Sequence, residues 1–150
     1  MKPISGMRPK ARTWVRLVLL GLAVGLVLVF VVAVRLNPYD HDGRPLTMQT
    51  HMQLGLPPCK FYEMFNKPCP SCGLTTSFAL LMHGDLTGSV RANAVGTLLA
   101  AFCFALVPWS LLVALRGRYL WVRSLERASL WVVGVFMVLL LIRWGIVLTT

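Results

Sequence analysis

Three long runs without charge constrain this chain more than any other feature. Residues 17–34 are 18 uncharged side chains between Arg16 and Arg35, and a helix of that length rises about 27 Å, close to the hydrocarbon thickness of a bilayer. Residues 92–115 are 24 more, with Pro108 among them, where a missing backbone donor should kink the helix. Residues 128–149 carry one charge, Arg143, placed so that its stem can snorkel to the interface beside Trp144. At 57% hydrophobic and 13% charged over 150 residues, the composition excludes a freely soluble enzyme, since soluble domains run at about 45–50% apolar and about 25% charged. Such hydrophobicity also excludes a disordered chain. The expected fold class is an all-α integral membrane protein, a single domain over residues 1–150 with transmembrane helices at 17–34, 92–115 and 128–149.

The charges then orient the spans. The excess of 15 Lys and Arg over 5 Asp and Glu, a net +10, is concentrated at the membrane flanks. Lys2, Arg8, Lys10, Arg12 and Arg16 form a basic tail at 1–16, and Arg116, Arg118, Arg123 and Arg127 face only Glu126 in the loop at 116–127. The positive-inside rule assigns both to the cytoplasm and the segment 35–91, with five basic against four acidic residues, to the other side. A nucleic-acid surface is not expected, because no polar face interleaves basic and aromatic residues. The first run exceeds the h-region of a secretory signal, about 7–15 residues, and no small-x-small site precedes Arg35, so an uncleaved anchor is expected.

Within the 35–91 segment, Asn37-Pro38, Asp42-Gly43, Arg44-Pro45 and Pro57-Pro58 predict an irregular stretch up to residue 58. Leu74, Phe78, Leu81 and Met82 then fall at i, i+4, i+7 and i+8, which predicts a helix over 73–82 with one apolar stripe. At about 15 Å it is too short to cross, so it should lie in the interface or enter as a re-entrant helix. His83-Gly84-Asp85 ends it, and Asp85 is placed to cap a following short helix leading through Arg91 and Asn93 into the second span.

The chemistry is concentrated in CKFYEMFNKPCPSCGLTTSFALLMHGDLTGSVRAN, residues 59–93. A cysteine, then PCPxCGxT, an apolar helix, a Gly-Asp pair and an Asn at the edge of a span make up a pattern that resembles the small bacterial membrane proteins grouped as domain-of-unknown-function family 2752. The resemblance covers about a third of the chain, and its core is Pro68-Cys69-Pro70-Ser71-Cys72-Gly73-Leu74-Thr75. The chain departs from the pattern at Thr76, where the family usually has Arg, and at Ala94, where it usually has Pro. The resemblance implies a protein of the bacterial inner membrane, with no settled activity.

Read physically, C-P-x-C-G admits three chemistries. If Cys69 is an N-cap and Pro70 the first helical residue, free amides and the helix dipole favour a Cys69 thiolate, the logic of a redox pair with Cys72. No alternating β and α pattern supplies the body of a thioredoxin-like enzyme. As a metal knuckle, Cys69 and Cys72 need two further ligands for zinc or iron, for which Cys59 and His51 or His83 are the candidates. As a structural staple, two of Cys59, Cys69 and Cys72 form a disulfide that ties the irregular loop to the helix, worth on the order of 2–3 kcal/mol. The staple asks least of the chain and is the preferred expectation. Gly73, Thr75, Gly84, Asp85 and Asn93 are expected to be structural or partner-contacting, with Asn93 capping the second span or bonding a neighbouring helix.

The other polar residues read as supports. Thr75, Thr76 and Ser77 sit where hydroxyls satisfy the amides of a first helical turn, His41 is a loop histidine, and Cys103, between two phenylalanines, is a small buried hydrophobe. Gly21 and Gly25 form a weak GxxxG signal. No Walker, Rossmann, H-E-x-x-H or G-x-S-x-G motif is present. Two function classes follow. The first is a non-enzymatic subunit or accessory factor, with no cofactor, whose loop contacts a membrane-protein partner, lipid or a second copy. The second is a thiol-redox or metal protein, with zinc the alternative cofactor.

Overall fold

The computed structural model describes residues 13–117 and 125–149 and is all-helical among them. Its elements are α1 (Thr13–Arg35), a 3₁₀ turn (Thr50–Leu54), α2 (Lys60–Phe65), α3 (Leu74–Met82), α4 (Leu86–Arg116) and α5 (Leu125–Thr149). Helices α1, α4 and α5 are each long and apolar enough to cross a membrane, which gives the expected fold class. Of the basic flanks, Lys2, Arg8, Lys10, Arg12, Arg118 and Arg123 lie outside the described residues.

Helix α1 begins before the uncharged run because Arg16 has a partner. Its Nε donates to the Ala114 carbonyl at 2.6 Å, one of the carbonyls that the end of α4 leaves without a helical donor. Val15, Leu19, Ala23, Phe30 and Ala33 are the buried residues of α1, and their spacing of three, four and seven marks the face packed on α4 and α3. Val15 and Leu19 meet Val113 and Ala114 in one apolar cluster, flanked by Trp109 and Leu125.

The short helix appears as Leu74–Met82, with Gly73 as its N-cap. Its inner face consists of Thr76, Ser77, Ala79 and Leu80, while the apolar stripe seen in the sequence is half-buried and turned toward α1. Phe78 stacks on Phe30 with ring centroids 6.0 Å apart, and Leu74 and Phe78 share an apolar cleft with Leu28, Val32 and Leu36. Between helices in a bilayer, small and hydroxyl side chains allow close approach and interhelical bonds, whereas large apolar ones are equally at home against lipid.

Helix α4 is two helices in line. Asp85 caps the first, its carboxylate accepting from the Gly88 N–H at 2.7 Å. Asn93 interrupts the helical path with φ −160° and ψ 102° and caps the second part, its Oδ1 accepting from the Gly96 N–H at 3.0 Å. Pro108, where the sequence predicts a kink, lies inside the second part of α4. Helix α5 differs from the other two long helices, α1 and α4, in having no buried residue. It starts at Leu125, three residues before the predicted span.

Candidate thiol centre

The turn that carries Cys69 and Cys72 is held by its own backbone. The Cys72 N–H donates to the Cys69 carbonyl and the Leu74 N–H to the Ser71 carbonyl, both at 3.1 Å, while the Cys69 N–H donates to the Cys72 sulfur at 3.1 Å. Gly73 closes the turn at φ +86°, where a Cβ would stand 2.6 Å from the Ala92 carbonyl oxygen and 2.9 Å from that of Thr47. Glycine is required there both for the left-handed backbone and for the close approach. Because α3 starts after Gly73, Cys69 is not its N-cap. The expected helix-dipole stabilisation of a Cys69 thiolate is therefore replaced by local hydrogen bonds.

Cys59 arrives from a different element. It precedes α2 as its N-cap residue, and Asn66, in the left-handed region at φ 51°, ends that helix and returns the chain to Pro68. The folded segment brings the Cys59 sulfur 3.5 Å from that of Cys72, and the Cys69 and Cys72 sulfurs lie 2.6 Å apart. All three lie within 4.8 Å of one another. They are free thiols, so the expected disulfide staple is not formed: a bond requires about 2.03–2.05 Å, and here three thiols converge instead of two pairing. His51 and His83 do not join them. His51 Nε2 lies 3.3 Å from the Pro57 carbonyl, and His83 Nδ1 lies 2.8 Å from the Ala79 carbonyl with its ring edge-on to Tyr39. Cys103 is half-buried on α4, apart from the cluster.

The two motif cysteines are electrostatically unequal. Burial raises the Cys69 thiol, but hydrogen bonds from Cys72, Ser71 and Cys59 outweigh that effect and leave it below its ordinary value. Burial, followed by the Cys69 contact, pushes Cys72 up to about 12. Cys69 is thereby the more acidic of the two sulfurs.

A buried polar network fixes this turn to the membrane helices. Asn93 Nδ2 donates to the Cys72 carbonyl at 3.1 Å. The Asn93 carbonyl accepts from the Thr97 hydroxyl at 3.1 Å, Thr97 meets the Ser89 hydroxyl at 2.7 Å, and Ser89 donates to the Ser77 carbonyl at 2.8 Å. Thr50 donates to Thr76 at 2.9 Å, tying the 3₁₀ turn to α3. No buried side-chain polar atom lacks a partner among the described residues, as a low-dielectric setting demands. Gly73 and Asn93 are thereby placed at the centre and Asp85 at the head of α4, while Gly84 takes φ +82° in the turn between α3 and α4. Thr75 lines the α1 cleft.

Sequence reasoning missed the contribution of α5. Lys67 Nζ donates to the Leu148 carbonyl at 2.8 Å, Trp144 Nε1 to the Pro68 carbonyl at 2.9 Å and Arg143 Nη2 to the Ala92 carbonyl at 2.9 Å. The signal was present, since an arginine within an apolar span marks a site by default. Read as a snorkelling residue, it pointed to lipid instead of to the thiols. No curated protein and no solved structure matches the chain. Residues 59–107, which carry all three clustered cysteines and the Asn93 cap, match the family model described as Protein of unknown function (DUF2752).

Proposed function

We propose that the chain is a small, non-enzymatic membrane protein whose loop between α1 and α4 holds a soft metal ion, zinc above others, on the three thiols of Cys59, Cys69 and Cys72. The observation that carries this reading is the convergence of three sulfurs from two separate elements within 4.8 Å. Around tetrahedral zinc, with Zn–S about 2.3 Å, sulfurs stand about 3.8 Å apart, so the Cys72 to Cys59 spacing of 3.5 Å already suits a shared ion. The N–H donated to the Cys72 sulfur is the kind of bond that stabilises a metal-bound thiolate. Three protein sulfurs leave a tetrahedral ion one open position, which suits ligand exchange with a partner or solute better than a closed structural knuckle.

A second reading, thiol–disulfide exchange at Cys69 and Cys72, is favoured by their 2.6 Å approach and unequal acidity. Elemental analysis of the purified protein separates the two. About one zinc per chain, lost in Cys69→Ser and retained in Cys103→Ser, supports the metal reading, and metal-free protein with a Cys69–Cys72 bond after oxidation supports the other. In this reading the centre sits on the outer face of a bacterial inner membrane, with the N-terminus in the cytoplasm and a membrane-protein partner or second copy against the loop. The basic flanks and the apolar helices support it. A reporter fused after Thr150 that is active only in the cytoplasm would refute that orientation.

A further inference from the structure

The last crossing helix has no buried residue, yet its end meets the cysteine turn on both flanks. Trp144 holds the Pro68 carbonyl, just before Cys69. Arg143 holds the Ala92 carbonyl, and that oxygen lies against Gly73, just after Cys72. Ala92 is free to accept because Asn93 breaks the helix and takes the Gly96 N–H on its own side chain. The cation is thus seated by the same break that positions Cys72, through Asn93 Nδ2 on the Cys72 carbonyl.

We propose that Arg143 is the counter-charge of the thiol centre, a positioning residue on α5 that makes three thiolates neutral overall when they hold a divalent soft ion. The inference rests on the metal reading above. Three thiolates around a divalent ion leave one net negative charge, and one guanidinium cancels it; a monovalent ion would leave two negative charges and only one cation. At the edge of an apolar slab an uncompensated charge is costly.

The test is zinc affinity of the purified full chain, measured by chelator competition for the wild type, Arg143→Gln, Arg143→Lys and Trp144→Phe. Arg143→Gln should bind about 10-fold or more weakly, the usual cost of removing a group that supports metal ligands. Arg143→Lys and Trp144→Phe should stay within about 3-fold of wild type, because each keeps a cation beside the thiols. Equal affinity in Arg143→Gln, or an equal loss in Trp144→Phe, overturns the assignment, since the role would then be nil or mere docking of α5. An Arg143→Gln chain that does not fold without metal also overturns it, because the arginine would be needed before any ion arrives. A wild type that takes up no zinc refutes the metal reading itself, a result distinct from all of these.

Discussion

The contact between α3 and α4 and the contact made by α5 are built on opposite terms. The first buries Thr76, Ser77, Ser89, Asn93 and Thr97 nearly completely and satisfies each of them. The second leaves Trp131 76% exposed and buries no residue of a 25-residue helix; Leu125 and Phe136 touch the rest through partly exposed apolar contacts, and the polar contacts gather near its end, where three side-chain donors meet carbonyls. In water the apolar helix would be the anomaly. In a bilayer, apolar side chains gain little by leaving lipid for protein, so the tight and specific contact is the small, polar one. The thiol turn is anchored on that polar contact, and this is why its position is fixed while α5 is free to present most of its surface to lipid.

The strongest way to break the comparison is at Gly73. A Cβ there would meet two carbonyl oxygens, at 2.6 and 2.9 Å, in a backbone conformation that costs a side chain about 1–2 kcal/mol. With overpacking added, Gly73→Ala should lose about 3 kcal/mol or more, read as a fall in the thermal midpoint in detergent together with faster alkylation of Cys69 and Cys72. Unchanged stability would mean that α3 does not approach α4 at this point.

Asn93 ranks next. Asn93→Ala strands the Gly96 N–H and the Cys72 carbonyl at a fully buried position, and two such losses should cost about 2–3 kcal/mol. Asn93→Asp should recover the cap but not the bond to Cys72, since a carboxylate has no donor. A loss for Asn93→Asp as large as for Asn93→Ala, in the same denaturation experiment, would show that the Cys72 contact dominates.

Asp85 gives a smaller, pH-dependent effect. The Gly88 N–H first, then the Thr87 hydroxyl, hold its carboxyl below the usual range. A depressed folded value contributes stability that is present above the unfolded carboxylate value of about 3.9 and is lost as pH falls through the folded one. Between about pH 5 and pH 3 the wild-type midpoint should therefore fall more than that of Asp85→Asn, in which the amide keeps an oxygen for the cap. Parallel curves would show that the cap does not depend on charge.

How much of this could be read in the sequence follows the same division. The spans were legible because an uncharged run of 18 or more residues has few other uses, and α3 because Leu74, Phe78, Leu81 and Met82 repeat at helical spacing. Which face of α3 points inward was not legible from hydrophobicity, because lipid and protein are alike to leucine. The cysteines were singled out correctly as a group, but their relation was not: only the turn of α2 and the left-handed Asn66 bring Cys59 to Cys72, and neither carries a strong sequence signal. The short helix capped by Asp85 and the Asn93 cap of the second span were legible, and the break in α4 falls at Asn93, where a side-chain cap supplies what the backbone gives up. Arg143 was visible, but its partner is a backbone carbonyl 51 residues away, which no local pattern encodes.

The smallest effects should lie on α5 away from its end, and they test the other half of the comparison. A Cβ at Gly134 would meet nothing within 4 Å, so Gly134→Ala should be neutral or stabilising by up to about 1 kcal/mol, the helix-propensity difference. Trp131→Ala should stay within about 0.5 kcal/mol, as for surface positions away from special features. Both are read as thermal midpoints beside the Gly73 and Asn93 variants in the same detergent. A loss above about 2 kcal/mol in Trp131→Ala that deepens on dilution would mean that a second chain covers this face, because only a contact between chains depends on protein concentration. The exposed helix would then be half of an interface, and the contrast with α3 would become one between contacts made within a chain and contacts made between chains.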